Sequence, residues 1–447
     1  MEIIPIVDRG LGNSAYLVNL GDGQALMIDA ERDPTPYLAE AERRRLRIRW
    51  VVETHLHADF VSGGRELASE GARLLAPAES HLQFDHVGLR DGDAVDLGGL
   101  TLEVVATPGH TPEHLAYLLY DGTAPQALFS GGTLIAGGVA RTDLVSPDLT
   151  EQLARAAYRS IRDRLLVLPD ELHVYPTHGA GSFCSVAPTG ERTTTIFRER
   201  TTNPLLQAAD EDEFVAMLTG GLGTYPSYFQ RLRDVNRAGP RVLGRAAAPP
   251  PLSPGHVARL MEDGAEVIDI RLVDRFAAGH VPGSLSIELR DQFTTWLGWL
   301  VDLDRTVVLV ADSDEEVGEA ARRFRQIGYE RLEGHLEGGT EAWMAEGRAV
   351  ARIPLVAPAA IPPDATLVDV RQESEWVAGH VPGAVHLELG TIADHAGDLA
   401  GDLVLHCGHG ARAMSAASLL RRAGVATAAV TKAGADDLIR LRAAATA

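Results

Sequence analysis

The sequence predicts an α/β protein in three parts: a layered αββα sandwich, then two smaller α/β domains with parallel sheets. Three observations predict it. The chain has 447 residues, more than one hydrophobic core normally fills. The pattern VIDIRLVDRFAAGHVPGS, starting at Val267, returns as LVDVRQESEWVAGHVPGA from Leu367, so the C-terminal half contains a duplicated unit. The N-terminal half is instead a series of short β-rich runs, each ending in a polar or glycine-rich loop.

Composition narrows the function classes. Hydrophobic residues make up 45% and charged residues 23%, which is globular usage and argues against wholesale disorder. Lys and Arg number 41 against 62 Asp and Glu, a net charge of −21. Such a surface repels phosphate backbones and anionic lipid, so neither nucleic acid nor membrane is an expected partner. Two cysteines, Cys184 and Cys407, cannot staple a chain of this size and read as free thiols of a reducing cytosol. The start, MEIIPIVDRG, has Glu2 and Asp8 where a signal peptide is basic, and the apolar tract Ala127 to Ala140 is too short to span a bilayer. A cytoplasmic protein is expected.

In chain order, EIIPIV, SAYLVNL and QALMIDA come first, then WVVETHLHADF, LTLEVVATPGH and ALFSGGTLI, with helices between. The loops at the ends of these runs are where chemistry is expected. The first domain is assigned to 1–245, ending where the Ala/Pro stretch RAAAPPPLSPG (Arg245 to Gly255) cannot hold a helix. The second is assigned to 255–350 and the third to 356–447, on either side of a Pro-rich stretch from Ala351 to Pro363. In the repeat, Asp269 and Arg271 match Asp369 and Arg371, and GHVPG recurs at Gly279 and Gly379. Each half then has an apolar strand (Thr306 to Val310, Asp402 to His406), a loop, a helix rich in Ala and Arg, and a glycine at the C-cap, Gly328 or Gly424. Parallel α/β units of this kind place ligands at the carboxyl ends of their strands.

Two constellations carry chemistry. Thr54-His55-Leu56-His57-Ala58-Asp59-Phe60 follows the apolar run Trp50 to Val52; His110 closes TPGHT, and His178 lies in YPTHGAGSFC. Imidazoles at several strand ends can converge on one metal ion, with the Asp59 carboxylate close behind. In the C-terminal part a strand delivers Cys407 into Gly408-His409-Gly410-Ala411-Arg412 ahead of a helix. Amides at a helix N-terminus stabilise a thiolate and any anion beside it, and Arg412 adds positive charge. The competing readings are surface or capping histidines and a packed inert thiol.

HLHAD, TPGHT, ALFSGGTL and PTHGAGSFC, in that order, resemble the metallo-β-lactamase fold. THLHADF, HGAGSFC, RERTTNPLL and PSYFQRLRDVNRAGP are more narrowly similar to persulfide dioxygenases fused to rhodanese domains. The resemblance covers essentially the whole chain. It implies an iron(II) held by two His and one Asp, a facial set that leaves open positions for oxygen and a persulfide. The two His correspond to His55 and His110, while the Asp position is Gly132; a second expected Asp is Gly138, and the second-metal His is Phe60. What remains is His55, His57 and His110, with Asp59 and His178 as outer partners or substitute ligands. Asp143 matches a later Asp of structural type, and Arg200 matches a basic position facing a glutathionyl carboxylate. Cys184 is left between a packed and a reactive thiol.

The Cys-x-x-x-x-Arg loop resembles a sulfur-transferring rhodanese, which implies Cys407 and Arg412 as catalytic and Gly408, His409, Gly410 and Ala411 as substrate-binding. Aligning Gly328 with Gly424 places Ala311 opposite Cys407 and Glu316 opposite Arg412, so the first repeat reads as a rhodanese without activity. The expected ligands are low-molecular-weight thiol persulfides, thiosulfate or sulfite, with self-association left open. Three functions also stay open: both activities, with water or Asp59 replacing the missing ligand; sulfur transfer alone, over a degenerate binding or scaffold domain; or zinc-dependent thioester hydrolysis. Iron(II), zinc and no metal are the matching cofactor expectations.

Overall fold

The computed structural model describes residues 1–186, 188–244, 248–425 and 428–446; the expected domain end at Arg245 lies outside the described residues. Contacts divide the chain into two compact units, Met1–Ala246 with Arg325–Gly328, and Ala247–Phe324 with Tyr329–Ala447.

The first unit contains two six-stranded sheets. One runs in the order Glu2–Asp8, Asn13–Gly21, Gln24–Ile28, Arg47–Val52, Arg73–Pro77, Val87–Leu89; the other runs Thr194–Thr195, His173–Pro176, Ala124–Gly131, Leu115–Asp121, Leu100–Ala106, Ala94–Asp96. Side chains alternate faces along a strand, so the middle of a strand with layers on both sides is apolar on both faces, as in residues 15–18. Asn13–Gly21 shows this directly. Tyr16 and Val18 join Leu26, Ile28 and Val52 against Leu102, Val104, Tyr117 and Phe129 of the other sheet. Ala15 and Leu17 face the opposite way, packing with Tyr37, Ala41 and Leu67 from the helices Thr35–Arg43 and Gly64–Ser69. Val105, Ala116 and Leu128 bury the outer face of the second sheet against Ala154, Ala157 and Phe214. Helix, sheet, sheet, helix is the expected αββα layering.

Tyr16 also ties the sheets together, its fully buried hydroxyl donating to Pro176 O at 2.6 Å. Tyr16→Phe is expected to cost about 1–2 kcal/mol, because the carbonyl stays buried without its donor. Urea unfolding checks this, and an unchanged midpoint would refute it.

The second unit repeats one design. Parallel strands run in the order Pro251–Leu252, Leu332–Leu336, Val307–Val310, Glu266–Asp269, Leu285–Ser286, and again as Val385–His386, Thr366–Asp369, Leu403–His406, Ala428–Val430. The GHVPG motifs prove structural. Arg271 is bound to Asp269 and donates to Gly279 O at 2.9 Å; Arg371 is bound to Asp369 and donates to Gly379 O at 2.7 Å. His280 stacks on Phe276 at 3.8 Å and His380 on Trp376 at 3.7 Å. Gly328 and Gly424 have φ near +90°, the left-handed end expected of both helices. The Pro-rich stretch after Ala351 is not a free linker: Ala351 bridges to His280, and Leu355 bridges to Val430. The repeats meet through Ser415 Oγ, which donates to Ser286 O at 2.6 Å, and through the pairs Arg422–Glu266 and Lys432–Asp274. Among the described residues no helix is long and apolar enough to cross a membrane.

Candidate functional sites

Five strands of the first unit end at one edge, and the loops that follow them hold the polar cluster. Asp29 follows Gln24–Ile28, His55 and His57 follow Arg47–Val52, His110 follows Leu100–Ala106, Gly132 follows Ala124–Gly131, and His178 follows His173–Pro176. All five titratable residues are at most 2% exposed. Asp29 braces the loops of both sheets, accepting from Thr54 N and Thr54 Oγ1 at 2.7 Å each and from Thr177 Oγ1.

The histidines divide by what they contact. His110 Nδ1 donates to Arg141 O at 2.7 Å, and His178 Nδ1 donates to Asn13 Oδ1 at 2.9 Å. Thr54 gives its hydroxyl proton to Asp29, so His55 Nδ1 must be the donor in its 2.8 Å contact with Thr54 Oγ1. Burial, reinforced by neighbouring imidazoles, holds His55 well below the usual range and His110 at about 3; burial likewise brings His178 to about 3. Neutral imidazoles are the form that binds metals. His57 differs. Its Nε2 lies 3.3 Å from Asp29 Oδ1 and 3.2 Å from Glu53 Oε2; burial opposes its charge, but these carboxylates raise it to about 10.

Ligating atoms within 4.8 Å of one another form three sets: His55, His110 and His178; Asp29, His55 and His57; and His57, Asp59 and His178. His178, expected as an outer partner or a substitute ligand, thus stands beside His55 and His110. Asp59 accepts from Asn13 Nδ2 at 2.8 Å and lies 3.5 Å from His178 Nδ1, bracing that ring. Gly132 has no room for a side chain, since a Cβ there would lie 2.7 Å from His110 Cδ2 and 3.0 Å from Ala140 Cβ. Phe60 stacks on His57 at 4.1 Å.

Other expectations resolve around this cluster. Asp143 pairs with Arg141 at 2.7 Å, a structural role. Cys184 is fully buried, and burial pushes its thiol well up, with Asp59 adding to the rise. Arg200 pairs with Asp170 at 2.7 Å and donates to Leu166 O at 2.6 Å, a half-exposed position at the surface. Sequence reasoning also missed His114, Asn13, Asp29 and Glu53. His114 is consumed by the protein, with Nε2 accepting from Gly132 N at 2.9 Å and Nδ1 facing Thr107 and Thr133 hydroxyls. Asp29 and Glu53, each directly after a strand, were the visible signals.

In the second unit, Cys407 follows strand Leu403–His406 and precedes helix Ala411–Arg422. Cys407 is 2% exposed, and its Sγ accepts the Gly410 N–H at 3.2 Å. Gly410 has φ +93°, and a Cβ there would lie 2.9 Å from Lys432 Cγ, so glycine suits the turn. His409 is exposed at the loop tip, and Ala411 begins the helix. Arg412 is already paired: Glu375 accepts from its two terminal nitrogens at 2.5 and 2.8 Å, and its guanidinium lies 5.8 Å over the Trp296 ring. Trp296 belongs to helix Phe293–Leu300 of the first repeat. Strand register supports the internal alignment, since Asp269 pairs with Val310 and Asp369 with His406, leaving Ala311 where Cys407 stands.

Known proteins match both parts. The metallo-beta-lactamase superfamily model matches residues 8–178, and the rhodanese-like domain model matches 253–346 and 358–439. The mitochondrial persulfide dioxygenase of Homo sapiens is 31% identical over 205 residues, covering 44% of this chain and 74% of that protein. A hydroxyacylglutathione hydrolase of Rhodopseudomonas palustris (strain BisB18) is 33% identical over 231 residues, covering 51% and 81%. A crystal structure of a metallo-beta-lactamase from Staphylococcus aureus subsp. aureus COL superposes with a TM-score of 0.67 at 28% identity, covering 75% of this chain and 98% of that one. The chain belongs to the metallo-beta-lactamase superfamily, carries two rhodanese-like domains behind that fold, and has the make-up of a persulfide dioxygenase–rhodanese fusion.

Proposed function

We propose that the chain is a cytoplasmic sulfurtransferase that carries sulfane sulfur on Cys407. The observation that carries this reading is the Gly410 N–H directed at Cys407 Sγ where a strand meets a helix N-terminus. Aligned helix amides favour negative charge there, which suits the anionic persulfide that sulfur transfer would form on that sulfur. With thiosulfate as donor, the Cys407 thiolate attacks the outer sulfur and a new S–S bond forms. The old S–S bond breaks, and sulfite leaves with its electron pair. A nucleophilic acceptor, such as a low-molecular-weight thiol or sulfite, then attacks the outer sulfur and releases the thiolate. Glu375 holds Arg412 beside the loop, where its charge draws in these anions. Cys407 is the reacting group, and the first repeat, with Ala311 at that position, serves packing and positioning. The test is mass spectrometry of the protein after thiosulfate treatment: one added sulfur on the Cys407 peptide is expected, and an unmodified Cys407 refutes the proposal.

Trp296 gives the inactive repeat a part in this site. Trp296→Leu is expected to lower kcat/KM for thiosulfate about two- to fivefold through loss of a cation–π contact worth ~0.5–1 kcal/mol. Steady-state kinetics check this, and an unaltered kcat/KM would separate that helix from the chemistry.

The relatives of the first domain include one named for persulfide oxidation and one named for hydroxyacylglutathione hydrolysis. The family's iron set, with its Asp at position 132, is not present in this chain, because position 132 is glycine and its surroundings leave no space for a carboxylate. No oxidation step is therefore assigned to it.

A further inference from the structure

We propose that the first domain holds a single zinc ion on three imidazoles, those of His55, His110 and His178, in place of iron on two histidines and an aspartate. Thr54 Oγ1, Arg141 O and Asn13 Oδ1 each take the Nδ1 proton of one ring, which leaves every Nε2 as a bare lone pair. Partners at the far nitrogen are what orient metal-ligating histidines.

Two of these lone pairs face each other. His55 Nε2 and His178 Nε2 lie 3.4 Å apart in a fully buried site. Two acceptors at that distance repel unless a cation lies between them. The His110 ring, from the same sheet as His178, completes the set and lies against the Gly132 backbone.

Competing donors are committed elsewhere. The Asp29 oxygens accept from Thr54 and Thr177, His57 Nε2 faces Asp29 and Glu53, and both His114 nitrogens are engaged; Asp59 accepts from Asn13 Nδ2 and falls in a set with His57 and His178, not with His55 and His110. Three uncharged nitrogen donors with an open fourth position are a zinc set. For a given nitrogen site zinc binds more tightly than iron(II), and the set of His55, His110 and His178 includes no carboxylate to offset that order.

The test uses the full chain, stripped with a chelator and titrated with zinc or iron(II) against a chromophoric competitor; cobalt(II) reports coordination by its visible spectrum. One zinc per chain is expected, held more tightly than iron(II), with the intense bands of four-coordinate cobalt. His178→Ala should weaken zinc by more than about 100-fold, beyond what loss of an outer hydrogen-bond partner costs. His57→Ala should weaken it far less. Sulfur transfer at Cys407 is measured in each variant; it shows that the protein is folded and keeps this proposal separate from the sulfurtransferase reading. Absence of bound zinc, two ions per chain, tighter iron(II), or dependence on His57 rather than His178 would each overturn the assignment.

Discussion

Cys407→Ser is expected to abolish transfer of sulfur from thiosulfate, by at least a factor on the order of 10³, the scale on which enzymes lose rate when their nucleophile is removed. Serine fits the space and can still accept the Gly410 N–H that now reaches Sγ at 3.2 Å. The fold should therefore survive, so the loss measures chemistry. A hydroxyl does not ionise near neutral pH and cannot store sulfur as a persulfide. Steady-state transfer assays and mass spectrometry check both points; a variant that keeps even a tenth of the wild-type rate would place the sulfur carrier elsewhere.

The duplicated domain supplies the control. Adding Ala311→Cys to Cys407→Ser is expected to restore nothing, because the charges around that loop are inverted. Glu375 and Arg412 of the second repeat align with Arg275 and Glu316 of the first. Glu316 accepts from Asp312 N at 2.8 Å, and Asp312 and Asp314 line the same loop. A thiol placed there would face carboxylates, which disfavour both its thiolate and an anionic donor.

Asp269→Ala is expected to destabilise the second unit by about 3–5 kcal/mol, the cost of leaving one partner of a buried ion pair alone. Asp269 is fully buried and the Arg271 side chain is 5% exposed. Its two carboxylate oxygens accept from Arg271 Nε at 2.9 Å and a terminal nitrogen at 2.6 Å, and the backbone N of Arg271 adds a third bond. Without them the guanidinium is left, among the described residues, with hydrogen bonds to two neutral acceptors, Thr340 Oγ1 and Gly279 O. The equivalent Asp369→Ala should cost less, because the Arg371 side chain is 12% exposed and can recruit water. Urea unfolding followed by intrinsic fluorescence checks the order, and equal or negligible losses would contradict it.

Much of this was legible in the chain. The Asp-x-Arg and GHVPG repeat is a local pattern whose contacts lie within ten residues, so reading it needs no knowledge of the rest of the fold. Strand, cysteine, short loop and helix are likewise contiguous, and the Cys407 site could be read directly. His55, His57 and His110 were visible because each closes an apolar run. Their division of labour was not. Whether His57 joins a metal set or pairs with Asp29 and Glu53 depends on loops brought together from five strands.

The same limit explains Arg200, whose partner Asp170 lies thirty residues earlier and is given by no motif. It also explains Trp296, which reaches Arg412 from the other repeat. Sequence established the αββα layering, the duplication and the strand–cysteine–loop–helix unit, because periodicity and chain-adjacent motifs are properties of neighbouring residues. Folding alone decided that His178 faces His55, that His110 lies against Gly132, and that Glu375 holds Arg412. Those relations depend on distances and directions between residues far apart in the chain, which exist only once the sheets have packed.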